Sequence, residues 1–254
     1  MLGLGNQGNQ IRLSNGVSNA GSNAGSDLDS AASSIQTDTM PRSPRLFVPG
    51  LLYHVFSRGN NKQTIFTNHS DFQRFSQNIT RFHKHLDFKL YAYCLLPNHF
   101  HLLIESPLTP ISKIMQTILT SYTMYFNKRY DSVGHLFQGR FKSIIVDKDE
   151  YLLQVSRYIH LNPVKAGLTS DPMEYPWSSY RLYWDNQNEL IDTQPVLSLI
   201  SNSTSKDTQL ANLRKFTIEG LTDDFDPEIL SVRGVLGNPK LSQYLTRVSK
   251  GVRP

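Results

Sequence analysis

The chain has 254 residues, 39% of them hydrophobic, which is enough to bury a real core in one large domain or a domain with extensions. Its single cysteine, Cys94, excludes an internal disulfide framework. The absence of a basic start with an apolar core, and of any membrane-length apolar run, points to a cytoplasmic protein with no membrane partner. The net charge of +5 is uneven: residues 1–41 carry 1 basic and 3 acidic groups, residues 42–184 carry 17 and 9, and residues 185–254 carry 8 and 9. All eight histidines also lie in the middle block, whose excess of basic groups suits a polyanionic partner.

Residues 1–44 read as a disordered low-complexity tail, because their Gly, Asn and Ser content cannot bury enough surface to offset the entropy of ordering. LLYHVFS over 51–57 reads as a strand, followed by the polar loop from Arg58 to Lys62. Asn68 to Asp71 offers N-caps for a helix carrying Phe72, Phe75, Ile79 and Phe82 at helical spacing. A strand over 88–96, a Pro97-Asn98 turn and a second strand from His99 make a hairpin. Residues 111–130 read as an amphipathic helix with Tyr122, Tyr125 and Phe126 on its core stripe. After a glycine-rich loop, Ile144-Ile145-Val146 is β-branched, and a helix capped by Asp147 to Asp149 is expected to end at Asn162, before Pro163.

This βαββαβα order predicts an α+β fold: a ferredoxin-like split βαβ with an antiparallel sheet and helices on a face. The Tyr175 to Tyr180 segment is expected to pack aromatics over that core. Residues 45–184 are expected to be the catalytic domain and residues 185–254 a C-terminal helical extension, including helices over 195–200, 208–219 and 240–248.

Along a strand, His99 and His101 share one face while Phe100, Leu102 and Ile104 take the other. Two adjacent imidazoles are a metal-ligand pair or a structural pair, and the pattern alone does not choose. On the later helix Leu152, Val155 and Ile159 form the packing side, while Tyr151, Tyr158 and Asn162 form another line. Asn162 can offer a carbonyl oxygen to a hard cation, or make a local backbone bond; Tyr158 is a nucleophile or a core aromatic. A nearby cation would favour the phenolate and polarise a phosphoryl oxygen for in-line attack. Arg58, Lys62, Arg140 and Lys142 could grip phosphates, with solvated surface charge as the plain alternative. Glu105 shares the histidine face and is expected to be an exposed charge.

Four segments together resemble the REP-associated tyrosine transposases of the single-tyrosine HUH (IS200-like) superfamily: His99-Phe100-His101, GHLFQGRFKS over 134–143, RYIHLNPVKAG over 157–167, and YPWSSY over 175–180. The resemblance implies a ferredoxin-like endonuclease and strand transferase for single-stranded, hairpin-containing (REP-like) DNA. It would cut and rejoin through a 5′-phosphotyrosine with Mg2+ or Mn2+, acting as a monomer or homodimer. Carried over by position, His99, His101 and Asn162 are the metal ligands and Tyr158 the nucleophile. Tyr151 is the rival, but the residue four positions after it is Val155, which cannot ligate. The alternative function is a domesticated protein that binds hairpins without cutting them.

Overall fold

The computed structural model describes residues 47–249, so the tail expected over residues 1–44 lies outside the described residues. LLYHVFSR forms strand β1 (Leu51–Arg58), whose residues from Leu52 to Ser57 are all buried because the strand is central and covered on both faces. Helix α1 (His69–Leu86) starts at a capping box: Asn68 Oδ1 accepts from Ser70 N at 3.0 Å, and Asp71 Oδ2 accepts from Asn68 N at 3.1 Å. Strands β2 (Lys89–Leu96) and β3 (His99–Ser106) form the hairpin around Pro97-Asn98. Helix α2 (Ile111–Tyr130), strand β4 (Lys142–Val146) and helix α3 (Lys148–Lys165) complete the expected βαββαβα order.

These strands run β2-β3-β1-β4, antiparallel throughout, in keeping with the ferredoxin-like antiparallel sheet predicted from the sequence. Phe100 meets Phe75 of α1 at 5.0 Å between ring centroids, so α1 and α2 pack on that face. His101 meets Tyr158 of α3 at 5.8 Å, so α3 covers the opposite face. The register pairs Arg58 with His99, and Phe56 with both His101 and Lys142, which brings these residues to one end of the sheet. The Tyr175 to Tyr180 segment follows the outer edge of β2. Leu95 N donates to Trp177 O at 2.9 Å, Tyr175 Oη donates to Leu95 O at 2.7 Å, and Trp177 stacks on Phe72 at 4.8 Å. These contacts satisfy backbone groups that an edge strand would otherwise expose.

After this segment come α4 (Gln194–Ile200), α5 (Lys206–Glu219), the single-turn α6 (Pro227–Leu230), strand β5 (Val235–Leu236) and α7 (Pro239–Ser249). The C-terminal stretch is therefore not purely helical. β5 adds a fifth strand parallel to β4, pairing Val235 with Ile145.

Two further expectations are corrected. Helix α3 does not stop before Pro163 but continues to Lys165. The proline removes a single N–H in the last turn, while Ala166 N still donates to Asn162 O and Leu168 N to Pro163 O, each at 2.9 Å. Nor is Glu105 an exposed charge. It is 9% exposed, accepts from Tyr91 Oη at 2.6 Å and from Lys148 Nζ, and faces Lys89 Nζ at 3.7 Å. A carboxylate on the α3 side of a covered sheet is buried, and these donors replace its water.

Candidate active site

Three elements meet at the end of the sheet where β1 leaves and β3 begins. The chain after β1 turns sharply at Gly59, where a Cβ would lie 2.1 Å from the Gln63 carbonyl oxygen, so the position takes only glycine. The turn is laced to the loop before β4 by Asn60 N to Leu136 O and Gln138 N to Arg58 O, both 2.9 Å. Across from them, the buried stripe of Leu152, Val155 and Ile159 seats α3 on the sheet and turns Tyr158 and Asn162 toward the histidines.

The result is a cleft of about 450 Å³ that brings together His99, His101, Tyr158 and Asn162. Arg58, Arg140 and Lys142 also line it, and all three are exposed. Two expected members lie elsewhere. Lys62 is exposed away from the cleft lining, and its carbonyl accepts from Asn98 Nδ2 at 3.4 Å. Tyr151 also lies outside the lining and stacks near Phe225 at 6.5 Å.

The histidine rings lie 5.1 Å apart at 83°. His99 Nδ1 lies 2.6 Å from Asn98 Oδ1, an oxygen that can only accept, so His99 carries its proton on Nδ1 and keeps Nε2 as a lone pair. His101 Nδ1 lies 3.0 Å from His54 Nε2, again leaving Nε2 as the uncommitted nitrogen. Burial, with a smaller contribution from the Arg58 charge, lowers His99 from the usual 6.5 to about 4. Burial, then the neighbouring His54 and His99, holds His101 well below the usual value. Both rings are therefore neutral at physiological pH, the state in which imidazole ligates.

Asn162 Nδ2 donates to the Tyr158 carbonyl at 2.9 Å. The local bond and the ligand role posed as alternatives are compatible, because the nitrogen makes the former and leaves Oδ1 for the latter. Among the described residues no three His, Cys, Asp or Glu side chains converge on one point, and Asn162 is a cleft residue able to add an amide oxygen to the two imidazoles. Two imidazole nitrogens, an amide oxygen and open space fit a divalent cation that keeps several coordination sites for water or phosphate.

Tyr158 is half-buried, its ring 5.8 Å from both His54 and His101. Its phenol is held above the usual 10, first by burial and then by the charges of Asp226 and Glu228. Asp226 closes the acidic break before α6, and Glu228 lies in the first turn of α6. Arg157 pairs with Asp223, Lys165 Nζ donates to the Asp223 carbonyl at 2.9 Å, and Phe225 reaches Tyr158 at 6.4 Å. Glu228 enters the cleft lining and pairs with Lys142 at 3.5 Å. Sequence reasoning missed Asn98 and Glu228 as cleft residues, and His54 as the buried partner of His101. Asn98 stands beside the motif, and Glu228 follows an acidic run that was visible but had no place to go without the fold.

Residues 47–162 match the family profile described as Transposase IS200 like. A Haemophilus influenzae protein assigned to the REP-associated tyrosine transposases is 31% identical over 101 residues, covering 35% of this chain and 57% of that protein. The chain thus matches little more than half the length of this curated relative. Among solved structures, a REP-associated tyrosine transposase bound to a REP hairpin is similar with a TM-score of 0.50 at 18% identity, covering 61% of this chain and 96% of that one. A Deinococcus radiodurans transposase gives a looser match, TM-score 0.34 at 15% identity over 47% of this chain and 95% of the other. Over the matched segment, β1 through Asn162, the chain is similar to the IS200-like transposases, and its fold is similar to that of a REP-associated tyrosine transposase.

Proposed function

We propose that the chain is a metal-dependent endonuclease and strand transferase for single-stranded, hairpin-containing DNA, working through a 5′-phosphotyrosine on Tyr158. The observation that carries this reading is the shared cleft: His99, His101, Asn162 and Tyr158 line one space with Arg58, Arg140 and Lys142. The REP hairpin bound by the similar solved structure supports a hairpin as the substrate here.

In this reading His99 Nε2, His101 Nε2 and Asn162 Oδ1 hold Mg2+ or Mn2+, which supplies Lewis-acid polarisation of a phosphoryl oxygen. Arg58, Arg140 and Lys142 bind the DNA backbone, with Lys62 on the flank. The Tyr158 oxygen attacks phosphorus, the bond from phosphorus to the 3′ oxygen breaks, and the phenolic proton passes to solvent while the leaving 3′ oxygen takes one up. The 5′-phosphotyrosine conserves the phosphodiester energy, so a 3′ hydroxyl attacking it rejoins strands and makes recombination and transposition accessible. Residues 45–184 act as the catalytic unit, in the cytoplasm, as a monomer or homodimer. Residues 185–254 serve as an extension that brings Phe225 and Glu228 to the rim.

A binding-only reading draws on the setting of Tyr158, where burial, and then the charges of Asp226 and Glu228, disfavour the phenolate. Labelled hairpin oligonucleotides with single-stranded flanks, incubated with Mn2+, separate the two. Cleavage by the wild-type chain that is lost in His99→Ala and His101→Ala, with hairpin binding retained, supports the enzyme. Hairpin binding with no cleavage across metals and flanks supports the binding-only protein.

A further inference from the structure

Strand β1 places one histidine beneath the candidate metal ligands that no motif marks. His54 is fully buried, and its Nε2 lies 3.0 Å from Nδ1 of His101, itself 3% exposed. The two rings are nearly parallel, at 17° and 5.2 Å, and Phe56 and Tyr158 flank His54 at 5.0 and 5.8 Å. We infer that His54 is the positioning residue of the metal site: its Nε2 accepts the Nδ1 proton of His101 and thereby aims an unprotonated His101 Nε2 at the cleft. This inference rests on the metal reading of His99 and His101 proposed above.

Proton placement decides which nitrogen of His101 can ligate. A neutral imidazole carries one N–H, and two neutral rings joined nitrogen to nitrogen allow two arrangements. Where His54 donates, the His101 proton sits on Nε2 and that nitrogen cannot ligate. Where His101 donates, Nε2 is a lone pair. His99 is already held in the second form, because its partner Asn98 Oδ1 only accepts. An accepting His54 holds His101 in the same form, so both ligand rings present Nε2, each oriented by the side chain behind it, Asn98 or His54.

The second arrangement also has a cost that the structure exposes. With Nε2 accepting, His54 carries its own proton on Nδ1, and that buried atom has no hydrogen-bond partner. Without a cation the donating and accepting arrangements therefore compete, and a cation on His101 Nε2 selects the accepting one. His54 touches neither DNA nor metal; it acts through His101.

The test measures Mn2+ affinity of the full chain by electron paramagnetic resonance without DNA, alongside thermal melting. His54→Phe keeps a flat ring but offers no acceptor, and is expected to weaken Mn2+ binding about 10- to 100-fold. His54→Gln restores an acceptor and is expected to recover most of that loss. Wild-type affinity in a folded His54→Phe overturns the inference. If His99→Ala weakens binding while His54→Phe does not, the positioning role fails and the metal reading stands. If the wild-type chain binds no Mn2+, both fail. Nitrogen-15 spectra of the wild-type imidazoles need no substitution: with saturating Mg2+, His101 is expected to show Nδ1 as its protonated nitrogen, and Nδ1 unprotonated overturns the inference.

Discussion

Asn162 donates its side-chain nitrogen to the Tyr158 carbonyl one helical turn earlier, so the amide oxygen is the atom it can offer to a ligand in the cleft. The pair links the candidate third ligand to the backbone of the candidate nucleophile. Asn162→Ala is expected to weaken Mn2+ binding about tenfold or more while moving the melting midpoint by only a few degrees, since a side-chain bond back to a helix carbonyl stabilises little. Asn162→Asp is expected to tighten binding, because a carboxylate adds charge to a hard-cation site. Unchanged Mn2+ affinity in Asn162→Ala removes the residue from the ligand set.

Glu228 sits against Lys142 at 3.5 Å on the cleft rim, where a DNA phosphate is expected to compete for the same ammonium. Glu228→Gln is expected to tighten hairpin binding several-fold at low salt. Lys142→Ala is expected to weaken it and to reduce the slope of log affinity against log salt by about 1. Filter binding across a salt series reads both, and an unaltered slope in Lys142→Ala contradicts a phosphate contact there.

The Glu105 network makes a prediction about stability. Burial alone would raise this carboxyl, but hydrogen bonds from Lys148 and Tyr91, with the charges of Lys148 and Lys89, outweigh burial and hold it below the usual 4.5. A carboxylate depressed in the folded state contributes stability above its unfolded value and loses it as pH falls through the folded one. Glu105→Gln is expected to cost about 2 kcal/mol near neutral pH, a drop of several degrees in melting midpoint. The gap to the wild-type chain is expected to close as pH falls through the depressed folded-state value of Glu105. A gap that stays constant from pH 7 to pH 3 contradicts the account.

Local patterning made the secondary structure legible: the Asn68 cap, the Pro97-Asn98 turn and the helical stripes of α1 and α2 follow from short-range chemistry. The ferredoxin-like class was also readable from the βαββαβα sequence of elements. What required the fold were contacts between distant segments. His54 is one polar residue in an apolar strand, and only the β1/β3 register sets it diagonally beside His101. Glu105 looked exposed because its donors, Tyr91 and Lys148, come from β2 and the start of α3. β5 is two residues long, too short to show an alternating pattern. Pro163 signalled a helix end, but packing of α3 carried the helix one short step past it.

The central claim, that Tyr158 is the attacking group, is tested most directly by mapping the covalent protein–DNA adduct. The wild-type chain is incubated with a hairpin oligonucleotide carrying a single-stranded flank and Mn2+, digested, and the modified peptide sequenced by mass spectrometry. The account predicts a 5′-phosphodeoxynucleotide on Tyr158, present in Tyr151→Phe and absent in Tyr158→Phe. An adduct on Tyr151, or one that persists in Tyr158→Phe, contradicts it.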